Sequence, residues 1–479
     1  MRTGARALVL ATALALSACQ MFPAYRRPEV KVPETFRGQT GPAGDKSIAD
    51  TAWWDVYRDP MLEKLIRIAL EQNYDIRLAI ARVDQFRAQA GIAGLGSVPL
   101  ISAGGSAGRE AFSTVGPTPY PTTIPSVTKA YGANAVASYE VDLWRRIADL
   151  QDAARAQLFA SEFARETARI TVISSVATAY FALRSLDRQL LVTQRTLAYR
   201  QKFVDLTRAQ FRRGVVSGLD VNRAEANLAA ARAAVPLLQS QITQAENLIQ
   251  VLLGQNPAPV LRGEPTDAAF FPVPPEVPDG IPSTLLERRP DLQLAEYNLI
   301  DANAQLKSVK ASLFPTISLT AAAGSSSALL QNLFTGPART WSWALSFLQP
   351  IIDLNRNPYQ VDAYSARERQ AIILYQQAVV QAFREVADAL AAREGFTAAL
   401  RAQEDQVKEL REASQRVLKR YAAGYSSYFE VIDADSSLFT AELLLAQAYQ
   451  NSLASFVQLY KALGGGWDVP KPGEEPAQK

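Results

Sequence analysis

Hydrophobic positions along this chain follow two different periods. Val172, Val176, Leu183, Leu186 and Leu190 step by four, seven, three and four residues. Val379, Phe383, Val386 and Leu390 step by four, three and four, with Arg, Gln and Glu between them. Such spacing gathers apolar side chains on one stripe of an α-helix. Elsewhere the period drops to two. Tyr131, Ala133, Ala135, Ala137, Tyr139, Val141 and Leu143 alternate with Gly132, Asn134, Ser138, Glu140 and Asp142. Trp341, Trp343, Leu345 and Phe347 alternate with Ser342, Ala344 and Ser346, and Ile317 and Leu319 with Ser318 and Thr320. These stretches predict β-strands with one apolar and one small, polar face.

Proline placement sets the limits of the helices. Prolines crowd residues 23–60, 99–125, 257–290 and 315–358, and return only at 470. An interior proline costs a helix about 3 kcal/mol, so 144–254, broken only by Pro236, and 359–469 are free to be helical. A helix over 144–212 would be roughly 100 Å long, which predicts an elongated protein.

The chain repeats itself. Asp75, Leu78, Ala79, Ala88, Pro99, Ile101 and Ser102 recur as Asp291, Leu294, Ala295, Ala304, Pro315, Ile317 and Ser318, a shift of 216. Asp142-Leu143-x-Arg145 recurs as Asp353-Leu354-x-Arg356. The shift then settles at 210, with Gly214/Gly424, Ser217/Ser427, Val221/Val431 and Leu253-Gly254/Leu463-Gly464. Matches in fixed order identify an internal duplication. The first copy is expected over 59–256, with strands about 98–114 and 129–143. The second is expected over 283–466, with strands about 314–325 and 339–350. Each reads helix, strand, strand, long helix, Gly turn, helix. Asp59 and Pro60 supply an N-cap and first-turn proline, and Pro290 plays the latter part in the second copy.

The first twenty residues add a location. Arg2 and Arg6 precede an apolar run from Ala7 to Leu16, too short to span a bilayer and suited to a signal peptide over 1–18. The run ends in Leu16-Ser17-Ala18-Cys19, which looks like a bacterial lipobox, and Cys19 is the one cysteine of the chain. Lipid on Cys19 would anchor the mature chain and the extended segment 19–58 to a membrane. Strands of about ten residues with apolar outer faces then fit an outer-membrane β-barrel. Four strands cannot close a barrel, for which about eight is the practical minimum, and lipid does not tolerate open sheet edges. The chains must pool strands, as a dimer with eight or a trimer with twelve.

Composition removes most chemistry. Lys plus Arg number 50 against 47 Asp plus Glu, leaving no field suited to nucleic acid. The absence of histidine excludes His-dependent triads and His–metal sites. Gly104-Gly105-Ser106-Ala107-Gly108 matches a nucleophile-elbow pattern but lies in an expected strand with no histidine to activate the serine. Asp353-x-Asn355-x-Asn357 begins like a calcium loop, yet Pro358 and Tyr364 stand where Gly and Glu are needed. No P-loop is present, so any transport energy comes from a partner. The expectation is no enzyme, no metal and no cofactor beyond covalent lipid on Cys19.

Several motifs carry a resemblance. The lipobox, Ala52-Trp53-Trp54-x-x-Tyr57-x-Asp59-Pro60-x-Leu62, Asn73-x-Asp75-x-Arg77, Arg289-Pro290-Asp291 and Leu348-x-Pro350-x-x-Asp353 occur in family order. Together with the duplication, the chain from Cys19 to about Gly466 resembles the TolC-type outer-membrane efflux family, and within it the lipoprotein (OprM/NodT-like) branch. The resemblance implies an α+β membrane protein: a homotrimer with a twelve-stranded transmembrane β-barrel, four strands per chain, continued by a long periplasmic α-helical barrel. Residues 257–282 and the tail 467–479 would join an equatorial domain. It implies a lipid-anchored outer-membrane channel, docked through a periplasmic adaptor to an inner-membrane RND-type pump, exporting drugs or other small toxic compounds. A polypeptide-secretion duct with an ATP-driven pump and a structural trimeric spacer are the alternatives. Absent histidines and only three Met speak against a dedicated copper or silver channel.

The resemblance also assigns residues. Gly214-Val215-Val216-Ser217-Gly218 and Gly424-Tyr425-Ser426-Ser427 would be the tips that meet the adaptor. Glu430 and Asp433, i and i+3 on one helical face, would form acidic rings at the periplasmic constriction. Asp220 and Tyr421 match a pair that in relatives ties neighbouring helices shut.

Overall fold

The computed structural model describes residues 22–38, 59–113, 115, 125–263, 285–351 and 356–465. The leader, Cys19, Trp53, Trp54 and Tyr57, residues 264–282 and the tail 467–479 lie outside the described residues. The principal elements are α1 (Pro60–Gln72), α2 (Tyr74–Gly94), β1 (Leu100–Ala111), β2 (Val127–Glu140), α3 (Arg146–Arg212), α4 (Gly218–Leu252), α5 (Pro290–Ala311), β3 (Thr316–Ser327), β4 (Arg339–Leu348), α6 (Arg356–Ala422) and α7 (Tyr428–Ala462). A shift of 210 carries Arg146, Arg212, Gly218 and Leu252 onto Arg356, Ala422, Tyr428 and Ala462, so the limits of both long hairpins repeat residue for residue. No helix among the described residues is long and apolar enough to cross a membrane.

Two units contain these elements. Among the described residues, the first holds the sheet, within 84–160 and 295–375, and residues 22–28. Its strands form an antiparallel meander in the order β1-β2-β3-β4, leaving β1 and β4 as edges. Residues opposite each other on neighbouring antiparallel strands share a face. Trp341 faces Ala323, Trp343 faces Ala321, Leu345 faces Leu319 and Phe347 faces Ile317. Leu319 in turn faces Tyr139, and Ala321 faces Ala137. That face is apolar and aromatic. The other carries Ser102, Asn134, Ser138, Ser318, Thr320, Ser342 and Ser346.

Where the alternation was expected to run on to Leu143, β2 ends at Glu140. The Trp144 indole donates to the Pro315 carbonyl at 2.8 Å and stacks on Phe314, its centroid 5.0 Å away. Arg145 adopts a left-handed φ of 62°. The Asp142 carboxylate accepts from the Ile147 and Ala148 amides, starting α3 at Arg146 rather than at the expected 144. Arg146 closes the junction with a two-pronged bond to Glu140.

The second unit holds residues 29–83, 161–294 and 376–479, of which the described part is almost entirely helical. Asp59 caps α1, accepting from the Met61 and Leu62 amides, and its other oxygen receives the Tyr180 hydroxyl at 3.0 Å. One position in each repeat caps the returning helix. Asn73 donates its side-chain amide to Leu252, the last residue of α4. Arg289, 216 residues later, donates to Ala462, the last residue of α7, while pairing with Asp291 and Glu385. The Arg289-Pro290-Asp291 motif is thus a helix cap, with a cation set where the last carbonyls want one. Arg262 joins Asp187 and Glu246, fastening the chain after α4 back onto α3 and α4.

Candidate functional site

Each hairpin turn is built from a C-cap followed at once by an N-cap. After α3 the Val215 amide bonds the Gln210 carbonyl and the Gly214 amide bonds Phe211. After α6, Tyr425 bonds Arg420 and Gly424 bonds Tyr421. This pairing requires a left-handed residue, and Gly214 and Gly424 have φ of +71° and +79°. Ser217 then caps α4 and Ser427 caps α7, each in a capping box. In the second turn Arg420 also donates to the Ser426 hydroxyl and the Tyr425 carbonyl. Val215 and Tyr425, at 68% and 78% exposure, stand out from the two turns and leave apolar surface uncovered.

The capping boxes give two of the expected site residues a local task. Asp220 is the third residue of its helix, and its carboxylate accepts from the Ser217 amide and hydroxyl. Glu430 does the same for Ser427. The two carboxylates are the same position of the repeat, 210 residues apart, and perform one local task. Bonds from the Ser427 backbone amide and the Ser426 and Ser427 hydroxyls hold the Glu430 pKa below the ordinary value. Asp433 lies one turn on and is exposed.

Asp220 and Tyr421, expected to act as a pair, use different partners within the chain. Tyr421 donates to the Gln210 side chain at 3.1 Å, while Asp220 turns back to Ser217. Burial raises the Tyr421 pKa, and the nearby Asp220 charge adds to it. Within one chain, Tyr421 therefore reaches the first hairpin through Gln210 rather than through Asp220.

Behind the tips lies a cluster that sequence reasoning missed. Val204, Ala224, Leu228 and Tyr428 are buried together, with Leu197, Phe203, Tyr421 and Ile432 packed against them. Phe203 stacks on Tyr428 with centroids 5.3 Å apart and tilts against Tyr421 at 5.8 Å. One turn further along, Arg200 donates to Asp435 at 2.7 Å and to the Asn227 carbonyl at 2.9 Å. Its guanidinium also lies 5.1 Å from the centre of the Phe439 ring. A single side chain thus ties α3 to α4 and to α7. The Arg200 and Asp435 side chains are 8% and 18% exposed. Burial raises the Asp435 pKa, and Arg200 opposes the rise.

The chain combines a sheet that has an aromatic face, a polar face and two open edges with duplicated helical hairpins. A family model for outer membrane efflux proteins matches residues 65–255 and 281–465. The chain belongs to the outer membrane efflux protein family. The toluene efflux pump outer membrane protein TtgC of Pseudomonas putida is 35% identical over 464 residues, 95% of this chain and 94% of that one. The probable outer membrane lipoprotein SilC of Salmonella typhimurium is 30% identical over 471 residues, 96% and 98% of the two chains. The crystal structure of the open state of the Neisseria gonorrhoeae MtrE outer membrane channel superposes with a TM-score of 0.82 at 32% identity. It covers 93% of this chain and 98% of that one. This member of the family is an outer-membrane efflux channel with the α+β fold of its trimeric relatives.

Proposed function

We propose that this channel is the exit duct of a tripartite pump for small toxic organic compounds. The observation that carries the reading is the four-stranded sheet, whose small polar face suits a water-filled lumen and whose aromatic face suits lipid. Its open edges ask for further strands, and three chains would supply twelve. The name of the toluene-exporting relative supports an apolar organic substrate class.

The tips 214–218 and 424–427 would receive the periplasmic adaptor, which in turn would engage an inner-membrane RND-type pump. Glu430 and Asp433, both exposed in the chain, would line the constriction in threes. Cys19 would carry diacylglyceryl and N-acyl lipid after removal of residues 1–18, a reading supported by the lipoprotein relative. The duct itself performs no covalent chemistry.

Deleting the gene should sensitise cells to toluene and to lipophilic antibiotics, and restoring it should reverse this. Loss of a secreted polypeptide with unchanged susceptibility would favour the secretion duct. A trimer that conducts no ions in planar bilayers would leave only the structural spacer.

A further inference from the structure

The strand register places two cations directly opposite each other. Arg109 of β1 pairs with Lys129 of β2, one step beyond Ala107 and Tyr131 on the same face. Both are exposed, and no described residue forms an ion pair with either. Like charges facing across an antiparallel pair destabilise a sheet. Nearby acids do not relieve them. Glu110 follows Arg109 in sequence but points to the polar face, opposite Thr128. The connection from Phe112 to Ser126 contains no Asp or Glu, and neither does that from Ala328 to Ala338.

Their face and level are fixed by the same register. Odd-numbered positions of all four strands share the face of Trp341, Trp343, Leu345 and Phe347, the face that meets lipid in the barrel proposed above. Arg339, which opens β4, lies on that face too. The pair stands at the strand ends away from α3, α5 and α6, which is the outer-leaflet end when those helices lie on the periplasmic side.

We propose that Arg109 and Lys129 form a binding site for the phosphate of an outer-leaflet glycolipid. A phosphate between the two side chains replaces repulsion by two charge-assisted hydrogen bonds, while acyl chains lie along the apolar face below. A Lys or Arg at this height also reaches polar surroundings by extending its stem, but that needs neither a second cation opposite it nor connections free of carboxylates. The site rests on the barrel reading proposed above and on the outer-membrane location, while neither the export substrate nor Cys19 lipidation bears on it.

The test uses the intact trimer, purified and stripped of lipid in detergent. Its melting temperature is read with lipid A, with dephosphorylated lipid A and with inorganic phosphate. Lipid A should raise it, and dephosphorylated lipid A should not. Lys129→Gln, which removes one of two charge-assisted contacts, should weaken the lipid A response about tenfold in concentration. Lys129→Glu should pair with Arg109, leaving a trimer more stable than wild type without lipid and insensitive to lipid A. That gain in the bare protein distinguishes loss of a site from loss of folding. An equal response to inorganic phosphate would keep the anion site but overturn its lipid source. If the two variants respond to lipid A as wild type does, or if dephosphorylated lipid A works equally well, the site does not exist.

Discussion

Replacing Asp435 with Ala removes the partner of a guanidinium held between three helices. Arg200 would keep the Asn227 carbonyl and the Phe439 ring but lose its only described carboxylate. Breaking a buried ion pair from one side costs about 3–5 kcal/mol, because the remaining charge stays out of water. Asp435 retains 18% side-chain exposure and its own ionisation is opposed by burial, which argues for the lower end. A cost of about 3 kcal/mol corresponds to a roughly hundredfold rise in the local opening constant. Hydrogen exchange on the trimer should show that rise in amides at the start of α7 and in the facing turns of α3 around Arg200. Amides of the sheet should be unchanged. Replacing both partners, Arg200→Met with Asp435→Leu, should recover most of the protection, since apolar pairs of similar volume substitute for buried ion pairs. Unchanged exchange in Asp435→Ala, or a double variant worse than the single one, would refute the claim that this pair holds the two hairpins together.

Three further outcomes follow from particular side chains. Glu430→Ala with Asp433→Ala should weaken cation preference and block by multivalent cations in planar bilayers; wild-type selectivity would return both residues to a solvated helix face. Cys19→Ser should abolish metabolic palmitate labelling while the trimer still forms, and persistent label would exclude the lipid site. Burial pushes the Asp149 pKa up to about 6 from 3.8, and one of its oxygens has no hydrogen-bond partner. The folded form therefore binds this proton more tightly, so the stabilisation is complete below 3.8 and is lost as pH rises through about 6. Asp149→Asn should remove that fall from a series of melting temperatures, and an unchanged series would refute it.

The elements were legible because their periods are long and repeated. Alternation located β4 from Arg339, and the duplication set both hairpins, since each copy confirmed the other. Ends were harder to read. The apolar alternation of β2 continues to Leu143, and the strand stops short where Trp144 bonds Pro315, Arg145 turns left-handed and Asp142 caps the next helix. Gly214 and Gly424 were readable as turns because left-handed backbone selects glycine. The capping task of Asp220 and Glu430 is legible from the Ser three residues before each, whereas gate and ring roles come only from the family resemblance. The Arg200–Asp435 pair was hidden because its members are 235 residues apart. Its one sequence trace is a mismatch between copies: Arg200 corresponds to Leu410, and Asp435 to Glu225, which pairs instead with Arg208.

The residue-for-residue agreement of the two hairpins bears on the symmetry of the assembly. Three chains of two repeats, assembled as in the trimeric relatives, would make a ring of six similar units, fused in pairs. A ring of six unfused copies would carry any change at all six places together. Fusion releases that constraint, so alternate hairpins are free to diverge while their lengths stay matched for closure. Position 200/410 has done so, with Arg in one copy and Leu in the other. An aperture built this way would be free to narrow with threefold symmetry inside a wall kept nearly sixfold.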